Sequence, residues 1–213
     1  MSLPPNIHLS QHPSLKAKLS QLRSHAASSK EVKTLVHDIS LILACDALIT
    51  NLSSVEGPKD KTPLNFEYTT TVVRPQTICI VPILRSGLGM VDGMYREPST
   101  LTAVEYYNNL SHHIPGSDDD AGPASSLVIL VDPIIATGGT CIAAIQTLRE
   151  WGAKKVLVLS VLASEEGVKK AAEEWPEGTE LWIAGLDTKL TEEGMLEPGL
   201  GDIGDRLFLT LGK

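Results

Sequence analysis

Apolar positions along this chain follow two periods. Continuous, β-branched-rich runs at residues 77–83, 128–131 and 155–162 read as strands buried on both faces of a parallel sheet. Residues 64–74 alternate loosely, through Tyr68, Thr70 and Val72, and predict a strand or hairpin; residues 180–184 predict a short strand. Val32, Leu35, Val36, Ile39, Leu43 and Ala47 fall at helical spacing and predict a helix from Glu31 to about Asn51. A shorter helix is expected over residues 15–23, with Ser14 as its cap. Two more are expected: residues 141–150, stopped by Gly152, and residues 168–174, opened by Ser164-Glu165-Glu166 with acids in the first turn. Residues 1–12 read as an irregular lead-in and residues 53–63 as a polar connection. Strands alternating with helices from 77 to 184 imply an α/β fold with a mainly parallel sheet.

The most informative stretch joins one such strand to one such helix: Val128-Ile129-Leu130-Val131-Asp132-Pro133-Ile134-Ile135-Ala136-Thr137-Gly138-Gly139-Thr140. The first N–H groups of a helix lack intrahelical partners, and the helix dipole places partial positive charge there. Gly138 and Gly139 let backbone close round an anion, and Thr137 and Thr140 add hydroxyl donors, so a phosphate fits. Asp132, at the strand's carboxyl end, would repel a bare phosphate; it suits a neighbouring sugar hydroxyl or a metal. Acid and cradle together suggest a sugar phosphate. The plainer alternative is an ordinary βα turn capped by Thr. Residues 84–89 repeat the layout, with Arg85 in place of the acid. An Arg at a strand's carboxyl end can hold a pyrophosphate through paired N–H groups, and ligands of open parallel sheets bind at that edge.

The segment Val131-Asp132-Pro133-Ile134-Ile135-Ala136-Thr137-Gly138-Gly139-Thr140 resembles the phosphoribosyl pyrophosphate (PRPP) loop of phosphoribosyltransferases, and its Asp-Pro form resembles the uracil phosphoribosyltransferases. Three other stretches agree, in the family's order and across nearly the whole chain: His12-Pro13 with Leu15, Leu19 and Arg23; Val81-Pro82-Ile83-Leu84-Arg85-Ser86-Gly87-Leu88-Gly89-Met90; and Pro198-Gly199-Leu200-Gly201-Asp202-Ile203-Gly204-Asp205. The resemblance implies one phosphoribosyltransferase-like domain. Its mainly parallel twisted sheet would carry helices on both faces, a hairpin arm and a C-terminal base-binding segment. The expected parts are an N-terminal helical part (1–63), a core sheet (64–184) and a uracil-binding tail (185–213). The implied reaction is uracil plus PRPP to UMP plus pyrophosphate, in pyrimidine salvage. Asp132 and Arg85 carry the catalytic roles. PRPP contacts fall to Arg85, Arg96, Asp132, Pro133, Ile134, Ile135, Ala136, Thr137, Gly138, Gly139, Thr140 and Asp202, and uracil contacts to Leu196, Gly201, Asp202 and Ile203. Mg²⁺ would arrive on PRPP, with no metal held by protein ligands. A homo-oligomer, dimer or tetramer, and a GTP effector are also implied.

Two departures accompany the likeness. Most phosphoribosyltransferases have a second acid where this chain has Pro133. And Gly93 is followed at once by Met94-Tyr95-Arg96, where the family has a further core strand, as if roughly half a βα unit had been excised. A gapped sheet would leave buried ladder groups unpaired, at about 1–3 kcal/mol each, against about 5–15 kcal/mol of net stability for a typical domain. The chain is therefore expected to rearrange, borrow a strand or lose stability. A non-catalytic or poorly folded homologue, binding nucleotide or partnering a full-length subunit, is the alternative this motivates. Residues 103–110, with Tyr106 and Tyr107, resemble the family's projecting hairpin; the tyrosines suit packing or substrate contact equally. The acids Asp118, Asp119 and Asp120 read as a solvated turn before a metal site.

Composition narrows the rest. The chain has 213 residues, 42% hydrophobic, enough for one ordinary core, and its net charge of −8 argues against nucleic acid, including an RNA-binding role. Cys45, Cys79 and Cys141 are scattered without metal-ligand spacing and suit a reducing, cytoplasmic setting, the last two as buried thiols. No apolar run approaches ~18 residues, so no membrane span is expected. Residues 199–204 match G-x-G-x-x-G, but the dinucleotide reading fails: only nine residues follow Gly204, too few for a ribose-binding acid about 20 residues on. A glycine-rich loop can instead present backbone N–H and C=O groups to the donor-acceptor edge of a pyrimidine.

Overall fold

The computed structural model describes residues 3–75, 77–93, 101–103 and 126–209. The strands are β1 (Ile7–Leu9), β2 (Ser53–Lys61), β3 (Glu67–Arg74), β4 (Ile78–Pro82), β5 (Leu101–Ala103), β6 (Leu127–Val131), β7 (Ile134–Ile135), β8 (Val156–Ser164), β9 (Thr179–Asp187), β10 (Lys189–Leu190) and β11 (Leu196–Glu197). The helices are α1 (Pro13–Leu22), α2 (Ser29–Asn51), α3 (Leu88–Val91), α4 (Gly139–Glu150), α5 (Glu165–Glu174) and α6 (Ile203–Phe208). Among the described residues a parallel sheet runs in the order β1-β9-β8-β6-β4-β5, with β7 beside β8. Every residue of β4, β6 and β8 is buried, as their unbroken apolar runs require.

The pleat divides those runs between two cores. Val128 and Leu130 face α4 and α5, together with Cys141, Ile145 and Val168. Leu127, Ile129 and Val131 face the other way, into a core shared with α1, α2, α3 and α6 through Leu15, Ile39, Met90 and Leu207. That second core takes residues from the start, middle and end of the chain. The boundary at 63 falls in the turn between β2 and β3.

The structure corrects several expectations. The lead-in contains β1, which pairs in parallel with β9 at Ile7↔Leu181 and Leu9↔Ile183. The first helix starts at Pro13, with His12 at its N-cap and no side-chain cap; proline at the first position supplies the turn instead of Ser14. The second helix begins at Ser29, where Ser28 and Glu31 make a reciprocal capping box. The expected polar connection is β2, paired antiparallel with β3 in a separate two-stranded sheet. β2 and β3 form a hairpin of their own among the described residues. The stretch expected to form the projecting hairpin lies, beyond Ala103, outside the described residues, as do Arg96, Tyr106, Tyr107 and the acids at 118–120. The place expected to be empty is filled: β5 pairs in parallel with β4 at Ile78↔Leu101, Cys79↔Thr102 and Ile80↔Ala103, so β4 has a neighbour on each side.

Candidate active site

The loop after β6 is shaped by its contacts with β8. The Asp132 N–H donates to the Leu159 carbonyl at 3.2 Å, and β7 then continues along β8 at Ile134↔Leu162. Gly138, at φ +86°, turns the chain into α4, which starts without a side-chain cap and so leaves its first N–H groups open. Asp132, Ile134, Ala136, Thr137, Gly139 and Thr140 line a polar pocket of about 110 Å³, with Thr137, Gly139 and Thr140 exposed. Backbone N–H groups at a helix start beside two threonine hydroxyls are a donor set able to take an anion such as phosphate. Asp132 is only 6% exposed, and burial pushes its carboxyl up to about 7 against a weak pull from the Ile134 N–H at 3.5 Å. Cys141 is buried beside it; burial first and the Asp132 charge second raise its thiol, which fits an inert group.

Two residues that sequence reading missed hold this loop. The Ser164 hydroxyl donates to the Ala136 carbonyl and accepts the Gly167 N–H at 2.8 Å, capping α5 with the same oxygen. Gly138 and Gly167 pack backbone to backbone. A Cβ on Gly167 would stand 2.1 Å from the Ala136 carbonyl oxygen, and one on Gly138 would stand 2.5 Å from the Gly167 carbonyl oxygen. The signal for Ser164 was its capping position; the contact with residue 136 had none.

The second loop lies alongside. β4 and β6 are neighbours in register to Pro82↔Val131, so Arg85 and Asp132 leave adjacent strands at the same, carboxyl, edge. The Ile83 N–H donates to the Val131 carbonyl at 3.0 Å, and the Gly87 N–H closes a turn on Ile83 at 2.8 Å, leaving Arg85 exposed.

The tail meets both loops. Gly194, between β10 and β11, lies against Thr137, whose Cγ2 is 3.6 Å from where a Cβ would stand. At the other end, Leu207 of α6 packs on Gly89 of α3. Between them Leu196 is half-buried, Gly201 and Asp202 are exposed, and Ile203 is buried in the core with only its backbone to offer. Asp202 opens α6, accepting the Asp205 N–H at 3.0 Å. The match to G-x-G-x-x-G thus does open a helix, but one of six residues that ends close to the C-terminus. Beneath the tail, Arg23 forms a two-pronged pair with buried Asp187 at 2.6 and 2.9 Å, and Arg206 donates to the carbonyls of Leu22, Leu200 and Ser24 at 2.6–2.8 Å. Arg23 stood in a sequence motif; Asp187 and Arg206 carried no sequence signal.

Comparisons with known proteins bear on the fold and the family. A solved structure, that of the AQ2163 protein from Aquifex aeolicus, superposes with a TM-score of 0.79 at 24% identity over 95% of this chain and 97% of that one, which establishes the fold. Curated uracil phosphoribosyltransferases from Macrococcus caseolyticus (strain JCSC5402) and Thermoanaerobacter sp. (strain X514) are 36% and 37% identical, each match covering 96% of this chain and 98% of the relative. The profile of the uracil phosphoribosyltransferase family matches residues 9–210. That span takes in both loops and both arms of the tail's tether, and the chain belongs to the uracil phosphoribosyltransferase family.

Proposed function

We propose that this enzyme transfers the phosphoribosyl group of PRPP to uracil, giving UMP and pyrophosphate, with the three segments above dividing the work. The observation that carries the reading is their convergence at one sheet edge: a phosphate cradle, an exposed arginine and a glycine-rich tail that touches the loops at both ends. Phosphoribosyl transfer develops positive charge on the ribose as pyrophosphate departs. It asks for anchoring, leaving-group stabilisation and an aligned base more than for a strong nucleophile. The backbone of Ala136, Thr137, Gly138, Gly139 and Thr140 holds the 5′-phosphate, with Pro133, Ile134 and Ile135 setting its approach. Asp132 holds ribose hydroxyls. Arg85, with Arg96 and Asp202, meets the pyrophosphate side. Leu196, Gly201, Asp202 and the Ile203 backbone receive uracil.

The donor set fits Mg²⁺ that travels with the substrate. Asp132 is the pocket's one carboxylate, Pro133 stands where a second could be, and among the described residues no three metal-binding side chains gather. Mg²⁺ arriving with PRPP would supply charge to the leaving pyrophosphate, and Asp132 is the carboxylate of this pocket that could face it. A homo-oligomer belongs to the same reading and is supported by the turn between β2 and β3, where Leu64 and Phe66 are 79% and 69% exposed. A GTP effector rests on the family likeness. A cytoplasmic setting is supported by three cysteines outside any disulfide and by the lack, among described residues, of a helix long and apolar enough to cross a membrane.

The test is UMP formation by purified protein given uracil, PRPP and Mg²⁺, beside an Asp132→Asn variant. UMP from the unaltered chain, reduced at least about tenfold in the variant, is expected. A folded protein that binds PRPP yet makes no UMP would overturn the transfer reading.

A further inference from the structure

We infer that Arg23 is a positioning residue for the base: acting through Asp187, it fixes the tail's peptide groups and so sets both uracil affinity and the rejection of cytosine. The inference rests on the reading above that residues around Gly201 receive uracil. Arg23 and Asp187 are 164 residues apart in sequence, and Asp187 is 5% exposed. The Arg23 guanidinium gives Nη2 to one Asp187 oxygen at 2.6 Å and Nη1 to the other at 2.9 Å. The same Nη1 also donates to the Gly199 carbonyl at 2.7 Å, and the Asp187 oxygen it touches accepts the Gly199 N–H at 2.9 Å. One ion pair thus fixes both backbone polar groups of Gly199. The next carbonyl, of Leu200, is taken by Arg206 at 2.7 Å. The following residue is Gly201, exposed and at φ +75°. Gly199 itself stands at φ +60°, and a Cβ there would lie 2.2 Å from the Leu196 carbonyl oxygen, so the turn has little other room to settle.

A backbone that is tied from beneath at two successive residues presents the third in one orientation. That matters for a base read by peptide groups. Uracil offers acceptors at O2 and O4 and a donor at N3; cytosine offers an acceptor at N3 and a donor in place of O4. A peptide turned to give a carbonyl to N3–H and an N–H to O4 rejects cytosine, because a site's buried polar groups are left unpaired by the wrong partner. Rotation of that peptide relaxes the choice. A planar guanidinium fixes direction where a lysine ammonium gives only charge. The pair touches no residue of the phosphate loop, so the site proposed for the 5′-phosphate, the main anchor of PRPP, is separable from it.

The experiment uses the full chain with Arg23→Lys, Arg23→Met and Asp187→Asn, varying uracil and PRPP separately and offering cytosine as the competing base. PRPP titration of each sample reports whether the phosphate site is intact. In Arg23→Lys and Asp187→Asn the uracil KM is expected to rise about tenfold or more, with the PRPP KM held within about twofold and the uracil-to-cytosine preference reduced. Arg23→Met should go further, and the partial recovery in Arg23→Lys separates direction from charge. An unchanged uracil KM in the variants overturns the inference, as does a parallel rise of both KM values or a loss of melting temperature with base preference intact. If the unaltered chain makes no UMP, the transfer reading itself has failed, a result seen before any variant is compared.

Discussion

The loop proposed to take phosphate and the tail proposed to take the base meet at one sheet edge but are held by opposite means. The loop is locked by contacts without net charge: the Ala136 carbonyl under the Ser164 hydroxyl, and Gly138 backbone on Gly167 backbone. The tail is tethered by charge, through Arg23, Asp187 and Arg206. A steric lock has no intermediate state, because one added methyl must displace backbone. An ionic tether weakens by degrees as its hydrogen bonds are removed one at a time. The difference suits the two proposed ligands: a phosphate would be bound by many near-equivalent N–H groups that need one fixed cradle, whereas a base would be chosen by the direction of a few peptide groups.

The contrast breaks most sharply at Gly167. A Cβ there would stand 2.1 Å from the Ala136 carbonyl oxygen, with no side chain to give way. Gly167→Ala should lower kcat/KM for PRPP about a hundredfold, the cost of misplacing a binding group by about 1 Å, and leave the uracil KM nearly unchanged. Steady-state kinetics in each substrate check both halves.

A second effect belongs to the loop alone. Burial holds the Asp132 carboxyl near 7, above its ordinary 3.8, so between those values the folded chain keeps a proton that the unfolded chain has lost. Stability from this group is full at the acid end and falls as pH rises toward 7, by up to about 1.4 kcal/mol per pH unit, then levels off. Urea unfolding of the unaltered chain and Asp132→Asn across roughly pH 4 to 8 should show that slope in the first and its loss in the second.

On the tail side, Arg206→Ala removes three hydrogen bonds to carbonyls and should cost about 1–3 kcal/mol in the same unfolding measurement, with the uracil KM moving and the PRPP KM not. The smallest effect is a reference for both regions. Ser28→Ala deletes the α2 capping box, remote from either segment, and should cost about 1 kcal/mol while moving neither KM.

What was legible in the sequence divides along similar physical lines. Residues 128–131 announced themselves because a strand buried on both faces must be apolar throughout, and the Gly-Gly-Thr that follows is local chemistry at a helix start. β2 was not legible: its residues are exposed along nearly the whole strand, so no period marks it, and its pairing with β3 slips at a bulge between Glu56 and Lys59. β1 has three residues and owes its strand character to β9, some 170 positions away. β5 is as short and was hidden behind an apparent excision. The site followed the same rule. Asp132, Arg85 and the cradle sit inside contiguous motifs, whereas Asp187, Arg206, Ser164 and Gly167 act on backbone that only the fold brings to them.

The Ser164 oxygen that caps α5 while gripping Ala136 makes the phosphate motif non-portable. Residues 132–140 moved alone into another α/β scaffold would carry their glycines and threonines but not the neighbouring helix start that gives the turn its shape. The heritable unit is two consecutive strand-helix junctions, residues 128–167, and a transplant or a split of the chain that separates them would deliver the recognisable letters without the cradle.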